Sequence, residues 1–125
     1  MSNIRANTIS DAAGTGPIDL YKQSAAKAWV NFNGTGTIAA RDSVNVSSLT
    51  DNVSGDYTVT YTNAMANGNY AISLASIENS TNGADLYISN NTDPSTTSHI
   101  LEYVLAGTGK YDVDQVHTTI HGDLA

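Results

Sequence analysis

The sequence predicts an all-β chain: an antiparallel β-sandwich or partly closed barrel of about eight short strands, behind an extended N-terminal segment. Three observations predict it. Apolar and polar residues alternate with a period of two, most cleanly in Asp56-Tyr57-Thr58-Val59-Thr60-Tyr61-Thr62, where Tyr57, Val59 and Tyr61 share one face and the threonines the other. Turn-forming groups such as Asn33-Gly34-Thr35-Gly36, Asp51 to Asp56 and Asn67-Gly68 interrupt the alternation at short intervals. No window carries a helical period with start and stop signals.

Residues 1–17 are small, polar and turn-rich, and Gly14-Thr15-Gly16-Pro17 marks a break. Two readings of this segment compete: a leader, or an extended stretch wound around symmetry mates, where its backbone would find partners. Residues 18–125 form the domain. Strands are expected over 26–32, 37–43, 44–50, 56–62, 69–75, 85–89, 100–105 and 113–121. In the 69–75 strand Tyr70, Ile72 and Leu74 share a face. Gly107-Thr108-Gly109 separates the last two strands. Two strands are apolar on both faces. Ile100 and Val104 oppose Leu101, Tyr103 and Leu105, and Val30 and Phe32 oppose Trp29. A sheet with one wet face does not look like this. Such strands lie under a loop or against another subunit, which makes Trp29, Phe32 and Tyr103 the expected anchors of fold and assembly.

Composition points towards assembly as well. Asn, Ser and Thr make up 41 of 125 residues, whereas Leu, Ile, Val and Phe supply only 25. Burial yields roughly 25 cal/mol per Å² of apolar surface, so a core short of large side chains is thin, and oligomerisation is a common remedy. The net charge of −7, with five Lys and Arg in all, argues against nucleic acid, which requires clustered cations. No basic stretch or long apolar run favours a membrane, and the first residues do not read as a secretory signal. Without cysteine there is no disulfide framework and no thiolate metal site.

Little in the chain points to catalysis or a cofactor. There is no G-x-S-x-G elbow and no H-E-x-x-H. A carboxylate pair for glycoside hydrolysis would meet only in three dimensions. Most acidic residues, including Asp51, Asp56 and Asp93, fall in expected turns. Glu78 and Glu102 do not, and read as solvated or paired surface groups. The Gly-rich run at 33–37 joins two strands and lacks the lysine and helix of a phosphate loop. His117 and His121 share one face of the last strand, roughly 13 Å apart at about 3.3 Å per residue. One chain cannot chelate a metal with both, although three copies of either around a threefold axis could. Asp112-Val113-Asp114 and the 90–93 run read as turn chemistry rather than a calcium loop. The polar side chains suit sugars better. Tyr87, Tyr103, Tyr111 and Trp29 offer stacking faces. Loops 78–83 and 90–98 supply Glu78, Asn79, Asn82, Asn90, Asn91 and Asp93, which with Tyr87 form the candidate binding set.

The block from Ala25 to Val59 carries Lys27, Ala28, Trp29, Val30, Asn31, Phe32, Gly34, Arg41, Asp42, Asn45, Val46, Ser47, Thr50, Asp51, Gly55, Asp56 and Tyr57 in a pattern that resembles the C-terminal head domains of bacteriophage tail-fibre proteins, particularly those of phages of aquatic bacteria. Asn69-Tyr70-Ala71 and His121-Gly122-Asp123 extend the likeness. The resemblance implies a homotrimeric virion fibre or spike whose β-rich head recognises a host-surface glycan or protein. It implies a product made in the host cytoplasm and built into a virion beside other tail or capsid proteins. It names no catalytic residue, and the expectation is a non-enzyme. The alternatives are a structural virion protein, in capsid decoration or tail assembly, and, less favoured, a small glycan-degrading enzyme.

Overall fold

The computed structural model describes residues 25–77, 85–89, 91–105 and 109–125, together with Ala13. The 1–17 segment apart from Ala13, and Glu78, Asn79, Asn82 and Asn90, lie outside the described residues. Nine strands and no helix are found among those described: β1 (Ala28–Asn33), β2 (Ala39–Val44), β3 (Val46–Val53), β4 (Asp56–Tyr61), β5 (Ala71–Ile77), β6 (Asp85–Ile88), β7 (Ser98–Leu105), β8 (Gly109–Lys110) and β9 (Gln115–His121). They form two separate antiparallel sheets, not a closed barrel. One is ordered β2-β1-β9-β5; the other is β3-β4-β7-β6, with the short β8 also pairing with β7.

Position in the sheet decides which strands alternate fully. β1 and β9 are central in the first sheet, β4 and β7 in the second. Their inward side chains make the core: Ala28, Val30 and Phe32; Val116, Thr118 and Ile120; Tyr57, Val59 and Tyr61; His99, Leu101 and Tyr103. Two contacts tie the layers together. The Phe32 and Tyr57 rings meet edge to face at 5.3 Å, and His99 Nε2 lies 3.1 Å from Thr118 Oγ1. Phe32 and Tyr103 are both buried in this core. Trp29 points away from the core, half-buried on the outer face of the first sheet between its cross-strand partners Val44 and Thr119.

A stretch expected as one strand, 44–50, is broken at Asn45. This residue takes a left-handed φ of 57°, the one non-glycine among the described residues to do so. The single residue carries the chain from β2 in one sheet to β3 in the other. Asparagine tolerates this conformation better than any β-branched neighbour. It is locked from three sides: Asn63 N donates to its Oδ1 at 2.7 Å, its Nδ2 donates to Asn63 O, and Thr62 N donates to its carbonyl.

The Asp51 to Asp56 turn is tighter than expected. Asp51 belongs to β3 and Asp56 opens β4, leaving only Ser54-Gly55 as the turn. Gly55 has φ 68°, and a Cβ there would lie 2.5 Å from the backbone N and O of Tyr111. The turn is pressed against the far end of β7 and the 111–112 backbone. Asp112 Oδ1 accepts from Gly55 N at 2.7 Å, and Tyr103 N donates to Gly55 O.

Three extra residues interrupt the register, all on edge strands. Asn31 pairs with Asp42 but Phe32 with Ala40, so Arg41 on β2 is left over. On β3, Ser47 and Asn52 are left over in the same way. Each of the three side chains bonds across to the partner strand. Arg41 donates to Phe32 O and Asn31 Oδ1, Ser47 to Thr60 O and Tyr61 O, and Asn52 to Asp56 Oδ1 and Thr58 Oγ1.

Candidate binding cleft

The outer face of the second sheet collects most of the described charge that is held in place. β7 turns His99, Leu101 and Tyr103 inward, so Ile100, Glu102 and Val104 point out. Register then sets the neighbours. Glu102 stands between Tyr87 on β6 and Asp56 on β4. Val104 stands between Asp85 on β6 and Lys110 on β8. Two cross-strand rows result, Tyr87–Glu102–Asp56 and Asp85–Val104–Lys110.

The charges in these rows are fixed by one another. Lys110 Nζ donates to Asp56 Oδ2 at 2.7 Å and lies 3.3 Å from Glu102 Oε2. The Asp56 bond raises the proton affinity of the ammonium above that of an ordinary lysine. Ser89 Oγ donates to Glu102 Oε1 at 2.5 Å, and Asn91 N donates to Ser89 Oγ. Asn52 Nδ2 holds the second Asp56 oxygen. Glu102 is only 8% exposed, so it is a buried, paired group, not a solvated one. Tyr87 is 49% exposed, and its hydroxyl donates to Asp85 Oδ2, which raises the phenol's proton affinity. Tyr87, Ile88, Glu102 and Val104 line a cleft of about 310 Å³.

Of the expected binding residues, the fold therefore brings Tyr87 to the cleft wall and Asn91 to within one hydrogen-bonded link of Glu102. Asp93 is exposed further along the same connection. The 95–98 end of that connection is a hydrogen-bonded turn. Ser95 Oγ accepts from Thr97 N and Ser98 N, and Ser95 N donates to Ser98 O. Tyr103 is a correction: it is 3% exposed in the core and offers no face to a sugar. Tyr111 is exposed beside the Gly55 turn. Sequence reading placed Asp56 in a turn, took Glu102 as a solvated or paired surface group, and gave Lys110 no role; Glu102 is paired but buried, it lines the cleft, and Lys110 joins it to Asp56 on the neighbouring strand.

The other candidates divide differently. His117 and His121 share the outer face of the first sheet, opposite Ala75 and Ala71 on β5. His117 Nε2 is buried and finds no hydrogen-bond partner among the described residues. No group of three or more His, Asp or Glu arranged for a metal occurs among the described residues. Asp112 spends its Oδ1 on Gly55 N and Tyr57 OH, and the Asp114 carbonyl accepts from Arg41. Both serve as turn chemistry. At the Gly-rich run, Gly34 N donates to Val113 O and Tyr57 OH donates to Gly34 O, so its polar groups are engaged within the fold. His99 is the buried histidine, with Tyr61 OH 2.6 Å from Nδ1 and Thr118 on Nε2. Burial holds its proton affinity down, to a pKa of about 4.

The chain matches no protein-family model, no curated protein and no solved structure.

Proposed function

We propose that this protein is a non-catalytic virion component, the β-sandwich head module of a phage tail fibre or spike, which binds a host-surface glycan and works as a homotrimer. The observation that carries the reading is the cleft: an exposed aromatic face, Tyr87, beside hydrogen-bonding groups already fixed by Lys110, Ser89 and Asn52. A concave apolar wall with a few preorganised polar groups is what a small-ligand site requires. The tail-fibre-like pattern in residues 25–59 supports the setting. Shallow sites of this kind gain strength from repetition on one fibre and across several fibres.

Two carboxylates in a groove are also what a glycan hydrolase needs. Here the Lys110 ammonium sits between Asp56 and Glu102, where a glycosidic oxygen would have to lie. This favours binding over cleavage. The reading of a structural virion protein, docked on another tail or capsid chain, draws on a different surface: the outward Trp29 beside exposed Val44.

The test is binding of the purified protein to a panel of bacterial surface polysaccharides, with release of reducing ends followed in the same samples. Saturable binding without cleavage, lost in Tyr87→Ala while the melting temperature holds, is the expected result. Cleavage would replace the reading with an enzyme. Absence of binding to every polysaccharide and to intact bacteria would move it to the structural protein.

A further inference from the structure

We propose that copies of this protein join along one flank of the sandwich, the flank formed by β5 and β6, with β5 of one copy pairing with β6 of the next so that three copies close a ring. The inference rests on the homotrimer in the reading above and names the surface that builds it.

The two flanks treat their strand edges differently. On one, β2 lies against β3, and both strands carry the leftover residues, Arg41, Ser47 and Asn52, whose side chains turn back on the inner strand. On the other, β5 lies against β6. β5 pairs with β9 without interruption over all seven of its residues, and β6 with β7 over all four. No further strand pairs with β5 or β6 among the described residues. A regular strand with one side unpaired presents a row of backbone donors and acceptors to a neighbour.

The side chains of this flank suit a second copy. The chain has a net charge of −7, yet β5 carries no charge and β6 carries only Asp85. Identical chains brought together here set Asp85 beside a neutral strand, where no like charge opposes it. Ile72 and Leu74 of β5, and Leu86 and Ile88 of β6, are only partly buried against the core, and Ile77 is exposed. A neighbour's strand covers them, which adds the apolar burial that a core short of large side chains lacks.

The two open edges belong to different sheets, so each copy offers one β5 edge and one β6 edge side by side. A twofold pairing of β5 with β5 and β6 with β6 makes a dimer; a trimer takes the head-to-tail pairing, which ends when the rotation closes. In that ring β2-β1-β9-β5 of one copy runs on into β6-β7-β4-β3 of the next. Every edge left facing outward is then β2 or β3, the interrupted ones. With the inward faces aligned, the small exposed residues of β5, Ser73 and Ala75, stand beside the neighbour's Tyr87, and the cleft lies at the seam between chains.

The chain has no cysteine, so introduced thiols report the contact. Chains with Ala71→Cys, Ser73→Cys or Ala75→Cys are each co-expressed with Asp85→Cys chains and oxidised; all four positions are exposed. A disulfide needs Cα atoms within about 7 Å, so a covalent dimer is expected from the mixture that falls in register and from none of the four variants alone. Amide exchange of the unaltered trimer needs no substitution. The β5 and β6 amides that point away from β9 and β7 should be protected, whereas the outward amides of β2 and β3 exchange. A trimer with no disulfide in any mixture, and with β5 and β6 exchanging as freely as β2 and β3, would overturn this surface and leave the trimer standing. A disulfide formed by a β5 variant alone would overturn the head-to-tail pairing in favour of a twofold one. A chain that light scattering finds monomeric at every concentration would overturn the trimer itself, and this surface with it.

Discussion

His99 shows how much one buried ring can set. Its neutral form has one donor and one acceptor nitrogen, and Tyr61 and Thr118 supply a partner for each. Charging it means placing a cation in a site that is 1% exposed. The unfolded chain therefore takes up this proton first as pH falls from the ordinary histidine value of 6.5 towards about 4. Stability from this group is complete above 6.5 and declines across that window, by about 3 kcal/mol in all. Denaturant midpoints measured through the window should fall with pH, and the His99 ring resonances should titrate only near its lower end. Gly55 makes the second residue-scale case. Gly55→Ala adds left-handed strain of about 1–2 kcal/mol to a 2.5 Å clash with the Tyr111 backbone. A loss of more than about 2 kcal/mol is expected in chemical denaturation, whereas Ser54→Ala at the same turn should cost little.

Among the elements, those readable from sequence were those whose position forces alternation. Tyr57, Val59 and Tyr61 are buried as their spacing says because β4 has a neighbour on each side and a second sheet beneath. A strand boundary was read between 43 and 44, but the passage into the other sheet at Asn45 was not readable. Val44-Asn45-Val46 continues an alternating pattern in letters, and only the cross-sheet bonds to Thr62 and Asn63 show that the backbone turns there. Asn45→Gly keeps the conformation but loses both side-chain bonds, whereas Asn45→Val loses the conformation too. Destabilisation should therefore rank Val above Gly, by about 1 kcal/mol or more. The cleft was legible only in part. Tyr87 stood out as an aromatic near polar loops, but Asp56 and Lys110 lie 54 residues apart and meet only through β7. The one local signal was Glu102 between Ile100 and Val104, a carboxylate on an outward face otherwise apolar. Lys110→Met should leave Asp56 and Glu102 facing each other unneutralised. Since Lys110 is about one-third exposed, the cost is about 1 kcal/mol, checked by thermal melts at low and high salt.

For the whole molecule, the proposed trimer makes a direct claim about mass. Light scattering of the purified 13.1 kDa chain should report a species three times as heavy. If the outward Trp29 lies in the contact, Trp29→Lys should reduce that species to a folded monomer with an unchanged far-ultraviolet spectrum. A trimer that survives the change would assign the contact to another surface and leave Trp29 free for a different partner.

Any assembly that crowds identical β-rich heads together runs the hazard of sheets adding to one another without end, because an open edge is a template for the next strand. The leftover residues of β2 and β3 bear on that hazard. Arg41, Ser47 and Asn52 each spoil the spacing of the outermost ladder and turn a side chain back on the inner strand. A neighbour arriving in register at either edge finds a broken row of backbone donors and acceptors. Protection of this kind covers one edge of each sheet; at the opposite edges β5 and β6 keep an uninterrupted register with their inner partners. Restoring an even ladder at β2, by deleting Arg41, should make concentrated solutions aggregate faster than the parent protein, as followed by light scattering.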